Sequence, residues 1–287
     1  VTVKIAALIT VFKIDCRAMT VKQEQTMVFD KIDVAGVEVE LWRQGSGRPI
    51  VYLHPGDGLD SAMPFLSALA ENHQVYAASH PGFGGSQLPA GFTTVDDLAY
   101  FYLDFLEANA ISDAVLVGIS FGAWLAAEIA VKCTDRLSGL VLTDTLGAKF
   151  GSRETREISD LFALPHYDLG SLLYSDRRKL DFSDLSDEAL VRLARNHESF
   201  ALFGWSPTLY DPKLTQRLHR IKIPTLVLWG AEDRVVSPEY GRRFAAAIPN
   251  ARFEMIDGAG HYPQVERTDR FIAAVEGFIS ALPNDPD

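Results

Sequence analysis

Ser120 sits in the pentapeptide Gly118-Ile119-Ser120-Phe121-Gly122. A serine hydroxyl is a nucleophile only when a base takes its proton, so chemistry here needs partners from elsewhere in the chain. The flanking glycines suit a sharp turn in which side chains two residues before and after the serine would clash. Residues 114–118 are small and β-branched, and Phe121–Lys132 is rich in alanine, so the segment reads as strand, turn, helix. Such a turn lifts the hydroxyl above a strand end. It also sets the Phe121 N–H, at a helix start, beside a reacting carbonyl. The letters Gly-x-Ser-x-Gly alone carry little weight, because a glycine-rich crossover turn with a solvated serine spells the same pattern.

Partners follow in chain order. Gly230-Ala231-Glu232-Asp233 comes just after the apolar run Leu226-Val227-Leu228-Trp229. A carboxylate past a strand end can accept a histidine N–H, fix its tautomer and stabilise the imidazolium formed during attack. Asp233 is the candidate acid, with Glu232 as its local rival and Asp144, after the strand ending at Thr143, as a distant one. His261 lies in Gly258-Ala259-Gly260-His261, after the expected strand 252–256, and is placed to act as general base. The other histidines, His73, His80, His166, His197 and His219, are expected in surface, loop or core polar roles. In Leu53-His54-Pro55-Gly56-Asp57-Gly58, a loop past the strand Pro49–Leu53 can supply a second N–H to an oxyanion. Pro55 has no N–H, so Gly56 is the expected donor, with Asp57 next; His54 is expected to be structural.

The elements that must hold these groups alternate short apolar runs with helical patterns, as in a largely parallel sheet with crossover helices. Strands are expected at 28–34, 37–42, 49–53, 74–78, 114–118, 137–143, 224–229 and 252–256. Helices are expected at 61–71, 95–108, 121–132 and 268–282. Between Thr143 and Pro224 no strand is legible, and Ser186 followed by Asp187 and Glu188 marks a helix start. The expected organisation is therefore an N-terminal extension at 1–27, a core at 28–146 and 221–287, and a helical cap insertion at 147–220.

Composition narrows the function classes. With 27 Lys and Arg against 38 Asp and Glu, the net charge is −11, which opposes nucleic acid and anionic membrane surfaces. Two widely spaced cysteines, Cys16 and Cys133, form neither a disulfide framework nor a metal cluster, and fit a reducing compartment. The apolar run near the N-terminus is short for a secretory core and far too short to span a bilayer. The chain is expected to be cytoplasmic, monomeric or homodimeric, to need no metal or organic cofactor, and to meet a small-molecule substrate.

Serine, acid and histidine in that order, each past a strand, together with VYLHPGDG, HPGFGGS, VGISFGAW, LVLWGAEDRVV and GAGHYPQVE, resemble the cap-bearing branch of the α/β-hydrolase superfamily. The likeness runs from about Val28 to Leu282. It implies an α/β fold: a mostly parallel twisted sheet with helices on both faces and a helical cap inserted after the sixth strand. It also implies the triad Ser120, Asp233 and His261. Two stretches depart from the family pattern: His54-Pro55-Gly56 replaces His-Gly-x, and Ser79-His80 replaces an acidic or polar pair. A serine at position 120 sets the chain apart from relatives that attack with aspartate, which leaves acyl transfer. The expected activity is a carboxylesterase on a small to medium apolar ester, with Phe121 and Gly56 holding the oxyanion and Phe200, Phe203, Trp205 and Tyr210 lining the pocket. Carbon–carbon bond hydrolysis of ring-cleavage products is the enzymatic alternative. Tyr262, where that group tends to have tryptophan, counts against it. A ligand receptor with slow or no turnover is the non-enzymatic alternative.

Overall fold

A computed structural model of the chain describes residues 28–59, 62–152 and 154–283. The extension expected at 1–27 lies outside the described residues. Eight strands form one sheet: β1 (Asp30–Val34), β2 (Val37–Gln44), β3 (Pro49–Leu53), β4 (Gln74–Ala78), β5 (Ala114–Ile119), β6 (Leu137–Thr143), β7 (Thr225–Gly230) and β8 (Ala251–Ile256). Their order is β1-β2-β4-β3-β5-β6-β7-β8. β2 pairs antiparallel with β1 and β4, and every later pairing is parallel. β5 and β7 are buried along their whole length, which is why they read as unbroken apolar runs rather than alternating ones.

The helices are α1 (Met63–Leu69), α2 (Val95–Ala108), α3 (Phe121–Lys132), α4 (His166–Leu173), α5 (Asp187–Gly204), α6 (Leu214–Arg217), α7 (Pro238–Ala246), α8 (Pro263–Glu266) and α9 (Thr268–Ser280). From β3 the chain steps one way along the sheet to β4, and from β5 it steps the other way to β6. Right-handed crossovers therefore put α1 and α3 on opposite faces. α1 meets α9 through Phe65 and Phe271, whose rings stand 5.4 Å apart edge to face. α2 packs beside α3 and turns Leu98, Phe101, Tyr102 and Phe105 inward. Its start is fixed by a capping box between Thr94 and Asp97. None of the described helices is long and apolar enough to cross a membrane.

Parallel register brings the strand ends to one edge. Gly118 lies opposite Leu53, Ile119 opposite Thr143, and Thr143 opposite Leu228. The loops that leave β3, β5, β6, β7 and β8 therefore converge beyond that edge, where open α/β sheets bind ligands.

Between β6 and β7 the chain contributes α4, α5, α6 and a 3₁₀ turn, Leu218–Arg220, and no strand of the sheet. Ser186 caps α5 by accepting the Ala189 N–H, as its sequence predicts. One face of α5 is fixed to loops of the sheet by polar side chains at helical spacing. Arg192 pairs with Glu40 of β2 at 2.8 Å, and Arg195 donates to the Gly82 carbonyl at 3.1 Å. Asn196 accepts the Gly84 N–H and donates to the Asp57 carbonyl, both at 2.8 Å, while Ser199 donates to the Gly82 carbonyl at 2.7 Å.

Asn196 is buried, so removing its amide strands two backbone groups. Asn196→Ala should lower unfolding free energy by about 2–3 kcal/mol in chemical denaturation. A midpoint equal to wild type would show that water replaces the amide.

Candidate active site

The turn between β5 and α3 holds Ser120 at φ 54° and ψ −114°, a strained conformation for a residue with a side chain. Its backbone is held by the Ser120 N–H donating to Thr143 O at 2.8 Å, and by Ala123 and Trp124 N–H groups donating to Ser120 O at 3.1 Å. Glycine is required on both sides. A β-carbon at Gly122 would collide with the Leu53 and His54 carbonyl oxygens, and one at Gly118 with the first turn of α3.

The structure brings the three sequence candidates together. His261 Nδ1–H donates to Asp233 Oδ2 at 2.8 Å, and Ser120 Oγ–H donates to His261 Nε2 at 2.8 Å. The carboxylate can only accept, so Nδ1 carries the proton and Nε2 is left with its lone pair toward the serine. The other oxygen of Asp233 accepts the Val235 and Val236 N–H groups, at 2.7 and 3.2 Å. Glu232, the local rival, is exposed and faces Arg234 at 3.9 Å. Asp144 is buried close by: one oxygen of each aspartate and one ring nitrogen of His261 lie within 4.8 Å of one another. Both nitrogens of His261 are already hydrogen-bonded, so this cluster is an acid–base chain rather than an open set of metal ligands.

The loop of His261 is fixed by a residue the sequence analysis did not single out. Glu266, at the end of α8, accepts the Gly260 N–H at 2.6 Å and the Ser175 N–H and Oγ–H at 3.0 and 2.6 Å. The His261 N–H donates to Leu173 O, so the histidine loop is stitched to α4. Glu266 closes the stretch GAGHYPQVE, but nothing local in that stretch reveals a partner 91 residues away.

The backbone donors expected for an oxyanion are the N–H groups of Phe121 and Gly56. Among the described residues the Phe121 N–H donates to no other group. Gly56 and Ser120 lie on the wall of one cavity. The carbonyl of Pro55 accepts the Gly58 N–H at 3.1 Å and His54 Nδ1–H at 2.7 Å. In a trans peptide the N–H points opposite to the carbonyl, so these two bonds aim the Gly56 N–H away from the loop. His54 is thus structural, as expected, and its tautomer is fixed: Nε2 accepts the His80 N–H at 2.9 Å, which leaves the proton on Nδ1. His80 stacks on His54 at 3.6 Å, donates from Nε2–H to His54 O, and accepts Tyr102 O–H at 2.6 Å. Burial is the main cause that holds both imidazoles neutral; it pushes His54 down to about 3, and His80 is also driven well below its ordinary value.

The cavity above Ser120 has a volume of about 510 Å³, in the range of small-molecule sites. Leu161, Phe162, Leu169, Leu173 and Phe200 give it an apolar body. Of the four residues named from the sequence, Phe200 and Trp205 lie on its wall. Phe203 and Tyr210 do not. Phe203, about 60° around the helix from Phe200, stacks on Phe83 at 6.3 Å and borders a separate depression with Trp124 and Tyr210. Tyr210 follows the end of α5 and bridges to Gly147 on that far side. Near Ser120 the wall is polar: Asp57, Tyr174 and Tyr262 meet there. Burial and the Asp57 charge push Tyr174 up to about 12 and raise Tyr262 well above its ordinary value. The sequence analysis did not single out Tyr174, and it treated Tyr262 only as the residue after His261.

Comparison with known proteins matches this geometry to a family. A model described as "Alpha/beta hydrolase family" matches residues 50–274. The chain is 28% identical to 2-hydroxymuconate semialdehyde hydrolase of Pseudomonas putida, over 91% of this chain and 98% of that one. Among solved structures it resembles the meta-cleavage product hydrolase of Pseudomonas fluorescens IP01 (TM-score 0.71, 24% identity, 88% of this chain and 97% of that one). It also resembles a thermophilic esterase of Thermogutta terrifontis (TM-score 0.71, 23% identity, 88% and 98%). At those identities the structural likeness speaks for the fold.

The buried histidines have a consequence for stability. Their folded values lie below the ordinary 6.5, so the unfolded chain takes up protons first as pH falls. Stability carried by His54 and His80 is complete above about pH 6.5 and is lost progressively toward pH 3, by up to about 1.4 kcal/mol per pH unit for each ring. Denaturation midpoints between pH 7.5 and 5 should show this slope, and His54→Gln should make it shallower.

Proposed function

The chain belongs to the α/β-hydrolase family, and from that premise we propose that it is a serine hydrolase that cleaves small to medium, uncharged carboxylic esters. The observation that carries this reading is the continuous hydrogen-bond chain from Ser120 Oγ through both nitrogens of His261 to Asp233, at the wall of an apolar cavity. Ser120 Oγ attacks the ester carbonyl while its proton passes to His261 Nε2. The Asp233 carboxylate stabilises the imidazolium, and the N–H groups of Phe121 and Gly56 hold the carbonyl oxygen as it gains charge. Collapse breaks the carbon–oxygen bond, the alcohol leaves with the proton of His261, and water repeats the sequence on the acyl-enzyme. Residues 147–220 act as the cap: α4 and α5 roof the cavity, and the core consists of 28–146 and 221–287.

The charge on the cavity wall supports an uncharged substrate. Asp57 and Glu198 line it, and no lysine or arginine does among the described residues. Two histidines line it, His166 and His197, and His197 is held near 4 by burial and by His166. An anionic acyl group entering this space would lose its hydration and meet the carboxylates of Asp57 and Glu198.

A second reading is favoured by the full-length likeness to 2-hydroxymuconate semialdehyde hydrolase, whose named substrate carries a carboxylate. The two readings part on substrate charge. Wild-type protein should hydrolyse p-nitrophenyl butyrate at least about 10-fold better in kcat/KM than the p-nitrophenyl hemiester of succinate, an effect of the size expected for a charge a few ångströms from Asp57. Asp57→Asn should narrow the gap. Ser120→Ala should lose at least about 10⁴-fold in kcat and all labelling by a fluorophosphonate. No ester turnover, with rapid bleaching of a dienoate ring-cleavage product, would replace the esterase reading with carbon–carbon bond hydrolysis.

A further inference from the structure

Asp144 is the first residue past β6, and its side chain is wholly buried. Its backbone N–H donates to Leu228 O at 3.1 Å, and its Oδ1 accepts the Gly230 N–H at 2.9 Å. These bonds tie the end of β6 to the end of β7, the strand that carries Asp233. Its Oδ2 is buried and, among the described residues, meets no N–H or hydroxyl donor; the protonated carboxyl hydrogen-bonds the Asp233 carboxylate. A residue that only bridged the two strands would need one acceptor oxygen. Asparagine would provide it, and would also tolerate the φ of +45° found here. The second carboxyl oxygen is therefore unexplained by packing.

Its surroundings supply the explanation. One oxygen of Asp144, one of Asp233 and a ring nitrogen of His261 lie within 4.8 Å of one another. Two buried carboxylates this close cannot both be ionised. Asp233 has three N–H donors, from Val235, Val236 and His261, so the charge rests there. Burial first, and then the charges of Asp233 and Glu266, raise Asp144 well above the usual carboxylate range and keep its proton in place.

We propose that Asp144 is a positioning residue that serves as a second acid for His261: the two aspartates hold one negative charge between them, and the charge passes to Asp144 when Asp233 cannot carry it. This rests on the reading of Ser120, His261 and Asp233 as the catalytic chain. When residue 233 is neutral, only its burial and the charge of Glu266 oppose ionisation of Asp144. Its proton is lost to solvent, and the anion forms within reach of the imidazole.

The test uses the full chain and p-nitrophenyl butyrate from pH 5 to 9.5, with Ser120→Ala, Asp144→Asn, Asp233→Asn and Asp144→Asn/Asp233→Asn, each checked for cooperative unfolding. Asp144→Asn removes the reserve carboxyl while Asp233 still carries the charge, and should lose activity, but less than Asp233→Asn does. Asp233→Asn alone should lose about 10- to 100-fold, far less than the ~10⁴-fold loss seen when a triad acid has no understudy. Its remaining activity should rise with pH as Asp144 ionises. The double variant should lose about 100-fold more. If Asp233→Asn and the double variant fall to the same rate, Asp144 is a strand tie and the proposal is overturned. A wild-type protein no faster than Ser120→Ala would remove the catalytic reading itself, and this proposal with it. If Asp233→Asn does not fold, infrared spectra decide: wild type near pH 7 should show a neutral carboxylic acid band that disappears in Asp144→Asn, and a band that persists there overturns the proposal.

Discussion

A β-carbon on Gly122 would run into the carbonyl oxygens of Leu53 and His54, the place where the first turn of α3 passes closest to the end of β3. That approach fixes the distance between two loops that are far apart in the chain. One carries Ser120, and the other carries Gly56. Because glycine lets the backbones nearly touch, Ser120 and Gly56 come to the wall of one cavity. The strain at Ser120 is held there by backbone bonds to Thr143 and to the start of α3. His261 and Asp233 then need only to arrive at the same edge. Parallel register supplies that: β6 ends level with β5, and β7 and β8 end level with each other two residues further on.

Much of this was legible in the sequence, for a physical reason. β5 and β7, buried on both faces, are written as continuous apolar runs, and Ser120 and Asp233 stand just beyond them; His261 follows β8, a half-exposed strand. Helix α2 was legible from its stripe, and α5 from its acidic start. What could not be read was phase and long-range pairing. Phe200 and Phe203 are equally apolar, but a turn of about 60° separates the cavity wall from the core. Tyr210 lies past the end of α5, where helical spacing no longer constrains direction. Asp144 was legible only as a rival to Asp233; that the two share a buried space depends on two strands meeting in register. Glu266 pins the histidine loop across a gap that no local pattern marks.

The stacked pair of His54 and His80 shows how the departures from the family pattern fit together. Proline at position 55 removes one donor from the oxyanion loop, so the peptide that follows must be aimed by other means. His54 Nδ1–H takes the Pro55 carbonyl, the His80 N–H fixes the tautomer of His54, and the His54 carbonyl fixes that of His80. The unusual histidine at position 80 is thus part of the same device as the unusual proline. Because both rings are buried and held below their ordinary values, the device adds no charge to the loop that follows β3.

The polar face of α5 bears on traffic. Four side chains, at positions 192, 195, 196 and 199, bind it to the loops that follow β3 and β4 and to β2. A proposed cap anchored in this way is not hinged on that side. Opening it as a rigid body would break several buried hydrogen bonds at once, and such domain motions run on microseconds to milliseconds. The rim tells a different story: Trp205 and Leu164 line the same cavity and are largely exposed. Exposed side chains change rotamer in picoseconds to nanoseconds. Entry by side-chain rotation would make ligand width, more than ligand length, the quantity that the doorway measures.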